Sequence, residues 1–177
     1  MIDYHKFKVS NFEIHKKNLI DLILKFPKNP LAMEPDNLFH LQKHTISHTD
    51  YDLPQKMKRE YAEYFAKNIV GDYMKFICSK FNCKKMEIDN IWFQIYEQGD
   101  SHDYHVHPRC NFTNVFFLSL PNKNIKTKIR LPNGDELKND VSEGDIICFP
   151  AYYFHTSPKN EHKDQKIIIS FNSNIIG

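Results

Sequence analysis

The spacing of apolar residues changes character near Asn82. Before it, the period is helical. Residues 12–26, "FEIHKKNLIDLILKF", place Ile14, Leu19, Leu22 and Leu24 near one face, and Pro27 ends the run. Residues 27–52 carry Pro27, Pro30 and Pro35 and read as loop or extended chain. Residues 54–81 read as one long helix, with Met57, Tyr61, Tyr64, Phe65, Ile69, Tyr73, Phe76 and Ile77 as its apolar stripe. Gly71 weakens that helix by about 1 kcal/mol relative to alanine.

After Asn82 the period is two. In "NIWFQIYE", Trp92, Gln94 and Tyr96 point one way, and Ile91, Phe93 and Ile95 the other. "TNVFFLSLP", "GDIICFP" and "KIIISFNS" are further strands, and Asn133-Gly134 marks a hairpin turn within "TKIRLPNGDELKND". Helices followed by short strands predict an α+β fold whose strands form a sandwich or barrel. At 177 residues the chain is expected to be one domain, with residues 1–85 as mainly helical support and residues 86–177 as the β core.

Composition narrows the function classes. A net charge of +2 gives no basic surface for nucleic acid. No apolar run reaches the ~18–20 residues that span a bilayer, so no membrane partner is expected. The N-terminal stretch lacks a secretory h-region, which points to the cytoplasm. Cys78, Cys83, Cys110 and Cys148 form no CxxC pair and are expected to be reduced thiols. The sequence does not indicate an oligomeric state.

Candidate chemistry concentrates in "GDSHDYHVHPRC", residues 99–110, which holds His102, His105 and His107. On a strand, His105 and His107 share a face, as does Asp103, and two adjacent imidazoles can share one ion. Asp103 is placed to orient a ligand ring from behind. His155, which follows "GDIICFPAYYF", is the candidate third ligand, because a closed sheet can bring it opposite the HxH pair. His102 is one residue out of phase and is expected at the rim. His40, His44 and His48 repeat every four residues, but Leu41 stands where a zinc protease has glutamate, so they are expected to be packed or solvated.

The blocks "YEQGDSHDYHVHP", "NVFFLSLP", "GDIICFPAYYFHTSPKN" and "KIIISFN", in that order, resemble the iron(II)- and 2-oxoglutarate-dependent oxygenases, nearest the small prolyl-hydroxylase-like and phage-type members. The resemblance covers about residues 90–173, half of the chain. It implies a double-stranded β-helix (a jelly roll, cupin-like) backed by N-terminal helices. It also implies Fe(II) on His105, His107 and His155, with 2-oxoglutarate and O2 at the open positions. Lys166 would anchor the distal carboxylate of the cosubstrate and Tyr96 would hydrogen-bond it, with Gln94 and Asn172 lining the pocket. The activity implied is hydroxylation of a peptide residue or small metabolite, with release of succinate and CO2.

The match departs from the family at three positions. His107 stands where the family has Asp or Glu, Lys166 where it usually has Arg, and Phe117 where relatives often have Tyr. Two other classes therefore stay open. Gly99-(x)5-His105-x-His107 fits a cupin motif, without the cupin glutamate, and suggests a three-histidine metal enzyme that needs no cosubstrate. A jelly roll that binds without catalysis is the other. Arg109, Tyr152, Tyr153 and His102 are expected to flank the mouth of the site.

Overall fold

The computed structural model describes residues 4–27, 45–51, 53–54 and 56–176. Its elements in chain order are β1 (His5–Lys8), α1 (Phe12–Leu24), β2 (His48–Thr49), α2 (Glu60–Phe65), a π-helical turn (Ala66–Val70), α3 (Gly71–Phe81), β3 (Lys85–Tyr96), β4 (His102–His105), β5 (Phe112–Ser119), a 3-10 turn (Lys123–Ile125), β6 (Lys128–Arg130), β7 (Asp145–Pro150), β8 (Phe154–Ser157) and β9 (Lys166–Ile176). Two antiparallel sheets result: a six-stranded one ordered β1-β7-β5-β9-β3-β2, and a three-stranded one ordered β4-β8-β6. This is the expected α+β double-stranded β-helix, with helices covering the outer face of the large sheet.

Strand alternation sorts the side chains. On β3, β5, β7 and β9, Phe93, Ile95, Phe116, Leu118, Ile146, Ile169 and Phe171 face the helices and join their core. The alternate residues Tyr96, Val115, Phe117, Ile147, Phe149 and Ile168 face the small sheet and form a second core with Ile129, Val141 and Tyr153. The division on β3 is the one its sequence pattern predicts.

The long helix differs from expectation at its start and in its middle. It begins at Glu60 rather than at residue 54, and Met57 lies outside it, 40% exposed. Its buried residues Tyr61, Phe65, Ile69, Tyr73 and Ile77 recur every four positions. In an α-helix of 3.6 residues per turn, such a stripe drifts by about 40° per step. The π-helical turn at Ala66–Val70, just before Gly71, winds more slowly and returns the stripe to one face. In α1 the buried residues are Phe12, Leu19 and Ile23, whereas Ile14 and Leu24 are 65% and 54% exposed. Leu19 is buried and Leu22 packs partly on the core as expected, while Ile14 and Leu24 lie on the far side of the helix from the buried stripe.

Smaller expectations resolve as follows. The 127–140 hairpin is short: Arg130 bridges Glu136, and Gly134, at φ 92, donates its N–H to Leu131 O. His48 is packed in β2 against Phe93, its Nε2 3.3 Å from Pro27 O, while His40 and His44 lie outside the described residues. All four thiols are free; Cys148 is buried and the others are half-buried. Among the described residues, no helix is long and apolar enough to cross a membrane.

Candidate metal centre

The histidine segment enters β4 through a turn fixed by its own polar residues. Gly99 adopts φ 97 and donates its N–H to Asn160 O at 2.7 Å. Asp100, 8% exposed, accepts N–H bonds from Ser47 (2.9 Å) and Glu97 (2.8 Å). β4 then pairs with β8, and His105 falls directly opposite His155. Cross-strand partners project to the same side, so the two rings meet with centroids 4.2 Å apart.

His107 arrives by another route. β4 ends at His105, so strand alternation does not place His107. Instead its N–H donates to Ala151 O at 3.1 Å, which ties the segment to the turn before β8. Its ring lies 5.1 Å from each of the other two, and potential ligand atoms of all three histidines lie within 4.8 Å of one another.

Two of the rings are oriented by backbone. Nδ1 of His105 lies 2.8 Å from Asp103 O, and Nδ1 of His155 lies 3.1 Å from Tyr153 O. A carbonyl can only accept, so Nδ1 carries the proton in each ring and Nε2 is left as the ligand atom. The orienting group is thus the main chain of Asp103, whose carboxylate is exposed, and not its side chain as expected. Burial, followed by the neighbouring His105, pushes His107 down to about 3. Burial, then His105 and His107, lowers His155 well below the ordinary range. Both therefore stay neutral, as metal ligands must be.

His102 is not a simple rim residue. A register shift in β4 between His102 and His105 lets its ring stack on His105 at 3.8 Å, and it lines the cavity beside the triad. Such a bulge changes the side-chain phase and has no signature in the histidine spacing. Of the other expected mouth residues, Arg109 and Tyr152 are exposed, Tyr153 is buried in the second core, and none lines the cavity.

The cavity, about 200 Å³, lies between the sheets. Trp92 packs on His107 at 5.4 Å and Phe149 meets His155 edge-on at 5.0 Å. Gln94 and Tyr96 line it as expected; Lys166 and Asn172 do not. Lys166 is fully buried, donates to Ser157 Oγ at 2.7 Å, and has its Nζ 4.9 Å from the Tyr96 ring centroid. Burial pushes its amine down to about 7. Lys166 pairs with Tyr96 at the start of β9, and Asn172 pairs with Asn90 near the middle of both strands. Six residues of strand separate them, ~20 Å, too far for one five-carbon cosubstrate to bridge.

These facts overturn the expected chemistry. The ligand set is three neutral imidazoles with no carboxylate, whereas the non-haem Fe(II) oxygenase triad pairs two histidines with a carboxylate. Among the described residues no Asp, Glu, Lys or Arg lines the cavity, and the Lys166 amine lies behind the lining residues Ser157 and Tyr96. The reading as an Fe(II)- and 2-oxoglutarate-dependent hydroxylase that releases succinate and CO2 is therefore corrected in favour of a three-histidine site.

No protein-family model matches the sequence, and no curated protein does. Solved structures share the fold. A viral collagen prolyl hydroxylase from Paramecium bursaria Chlorella virus-1 is 17% identical over 96% of this chain and 94% of its own, with a TM-score of 0.61. A Pseudomonas putida prolyl-4-hydroxylase is 10% identical over 100% and 95%, at 0.61. An oxidoreductase of the 2OG-Fe(II) oxygenase family from Burkholderia pseudomallei is 12% identical over 90% and 77%, at 0.65. The chain thus has the fold of the prolyl-hydroxylase-like 2OG-Fe(II) oxygenases, with an all-histidine cluster in its cavity.

Proposed function

We propose that the chain binds one divalent first-row transition ion through His105, His107 and His155 and works as a cupin-type three-histidine metal enzyme without an oxo-acid cosubstrate. The observation that carries this reading is the convergence of three imidazoles to within 4.8 Å, with no acidic group in the cluster. Imidazole sets suit zinc, copper, iron and nickel. When bound, such an ion supplies Lewis acidity, with coordination positions left for reactants.

The protein's own contribution is to hold these ligands ready. The carbonyls of residues 103 and 153 fix two ring orientations, and burial keeps His107 and His155 unprotonated. Trp92 and Phe149 wall the site with aromatic surface that limits water and lowers the local dielectric. A small uncharged substrate suits a cavity whose described lining residues carry no formal charge.

Anaerobic titration with Co(II), whose visible bands report coordination geometry, tests both parts. A single Co(II) is expected to bind, and His107→Ala or His155→Ala to weaken it by at least ~100-fold. Unchanged affinity in both variants would remove the triad. Addition of 2-oxoglutarate is expected to leave the Co(II) spectrum as it was; a chelation band would overturn the cosubstrate-free reading.

A further inference from the structure

One transverse row of the large sheet contains polar groups with nothing to bond. Asn90 on β3 pairs with Asn172 on β9, which pairs with Thr113 on β5. Side chains of cross-strand partners point to the same side. This side is the cavity side, because Trp92, Gln94, Ser170 and Val115, two or four residues along the same strands, line the cavity. Asn90 Oδ1, Asn172 Oδ1 and Thr113 Oγ1 are all buried and without a hydrogen-bond partner. Thr113 and Asn172 are 1% and 5% exposed, and Thr113 itself lines the cavity. Folded proteins rarely leave such groups unpaired, and three in one row call for a partner.

The row lies at the metal end of the cavity. Its next member, Phe149, pairs with Thr113 and packs on His155. The neighbouring row holds Trp92, which packs on His107, and Ser170, which donates to Gln94 Oε1 at 3.2 Å. Lys166 is at the far end.

We propose that this row is the specificity site for an uncharged carboxamide on the substrate, seated beside the metal. The inference rests on the metal-site reading for its orientation and on the orphaned groups for its chemistry. The orphaned atoms are two amide oxygens, which only accept, and one hydroxyl, which can donate; the NH2 of a carboxamide suits the first and its oxygen the second. Among the described lining residues a carboxylate, which offers acceptors alone, finds no cation, and an ammonium finds acceptor oxygens but no carboxylate to balance its charge. The row therefore selects amides over both charged groups.

The test uses the full chain loaded with Zn(II), which is redox-silent, and benzamide as the probe, followed by backbone amide shifts. Benzamide is expected to perturb Thr113 and Asn172, and Thr113→Val or Asn172→Leu to weaken it at least tenfold. Thermal midpoints separate this role from a structural one. Thr113→Val removes only an orphaned group, so it should melt at or above the parent temperature, and Thr113→Ser should retain binding. Undiminished benzamide affinity in both variants overturns the proposal. So does a crystal structure with ordered waters on the three oxygens that benzamide does not displace. Zn(II) content of the same samples reads the metal assignment separately. A chain that binds benzamide but no zinc overturns that assignment and keeps the row; one that binds zinc but not benzamide overturns the row alone.

Discussion

The two faces of the large sheet are built from the same strands, yet they treat polar groups in opposite ways. Among the described residues, the buried polar side chains on the helix side are satisfied. Asp50, fully buried, accepts from Tyr61 OH (2.6 Å), Arg59 Nε (2.6 Å) and the Phe93 N–H (2.9 Å). Asn114 accepts from Tyr73 OH and donates to Ser173 Oγ (2.8 Å) and Phe171 O (3.0 Å). The cavity side holds two imidazoles kept neutral by burial, an amine pushed down to about 7 and three oxygens without partners. Each of these is unfavourable for folding alone and favourable for receiving a ligand. The helix face carries stability, and the cavity face carries the groups left open to a ligand.

The sharpest way to break this contrast is to unsatisfy the helix face. Asp50→Ala removes the counter-charge of a guanidinium whose side chain is only 10% exposed, which keeps its backbone acceptors, and takes the carboxylate acceptor from a buried phenol and a strand N–H. Breaking a buried pair by removing one partner costs about 3–5 kcal/mol. Urea denaturation is expected to register a loss of that size. A loss below ~1 kcal/mol would mean that this cluster does not anchor the helices, and the division between faces would fail.

The opposite sign is expected across the sheet. Lys166 has an ordinary pKa of 10.5 when unfolded and about 7 when folded. Between those values the unfolded chain binds more protons, so this group makes stability rise with pH from about 7 to 10.5. Below pH 7 the folded protein carries the full desolvation cost. Lys166→Met is expected to stabilise the fold by on the order of 2–4 kcal/mol there, after subtraction of the lost Ser157 bond, with the gain fading toward pH 10.5. Paired denaturation curves at pH 6 and pH 10 read it. An equal gain at both values would show that the amine is not desolvated.

Much of this arrangement was legible in the order of the residues. Period-two alternation in β3 assigned Trp92, Gln94 and Tyr96 to one side, and that side is the cavity. His155 lies across from His105 because β4 and β8 pair antiparallel, as a closed sheet is expected to allow. What stayed illegible depended on register and irregularity. A bulge brought His102 onto His105, a turn contact placed His107, and a backbone carbonyl took the role assigned to the Asp103 carboxylate. The orphaned row is invisible in one dimension, since Asn90, Thr113 and Asn172 meet only through pairing. The 2-oxoglutarate expectation fails at His107, which stands where the family has an acid and leaves a ligand set without a carboxylate.

The finest test compares two single hydroxyls, one from each face. Tyr73→Phe removes the donor to Asn114 Oδ1 and leaves that oxygen buried with no other partner among the described contacts. An acceptor orphaned in this way costs about 1–3 kcal/mol. Thr113→Val removes a hydroxyl that bonds to nothing, at nearly constant shape, so its cost is near zero or slightly negative. Thermal unfolding of the two variants side by side should therefore move their midpoints apart, Tyr73→Phe down by several degrees and Thr113→Val level or up. Because both hydroxyls lie on neighbouring positions of β5 or its immediate cover, differences in strand context largely cancel. Midpoints that fell together would mean that Thr113 has a partner in solution, and the cavity face would then be as satisfied as the helix face.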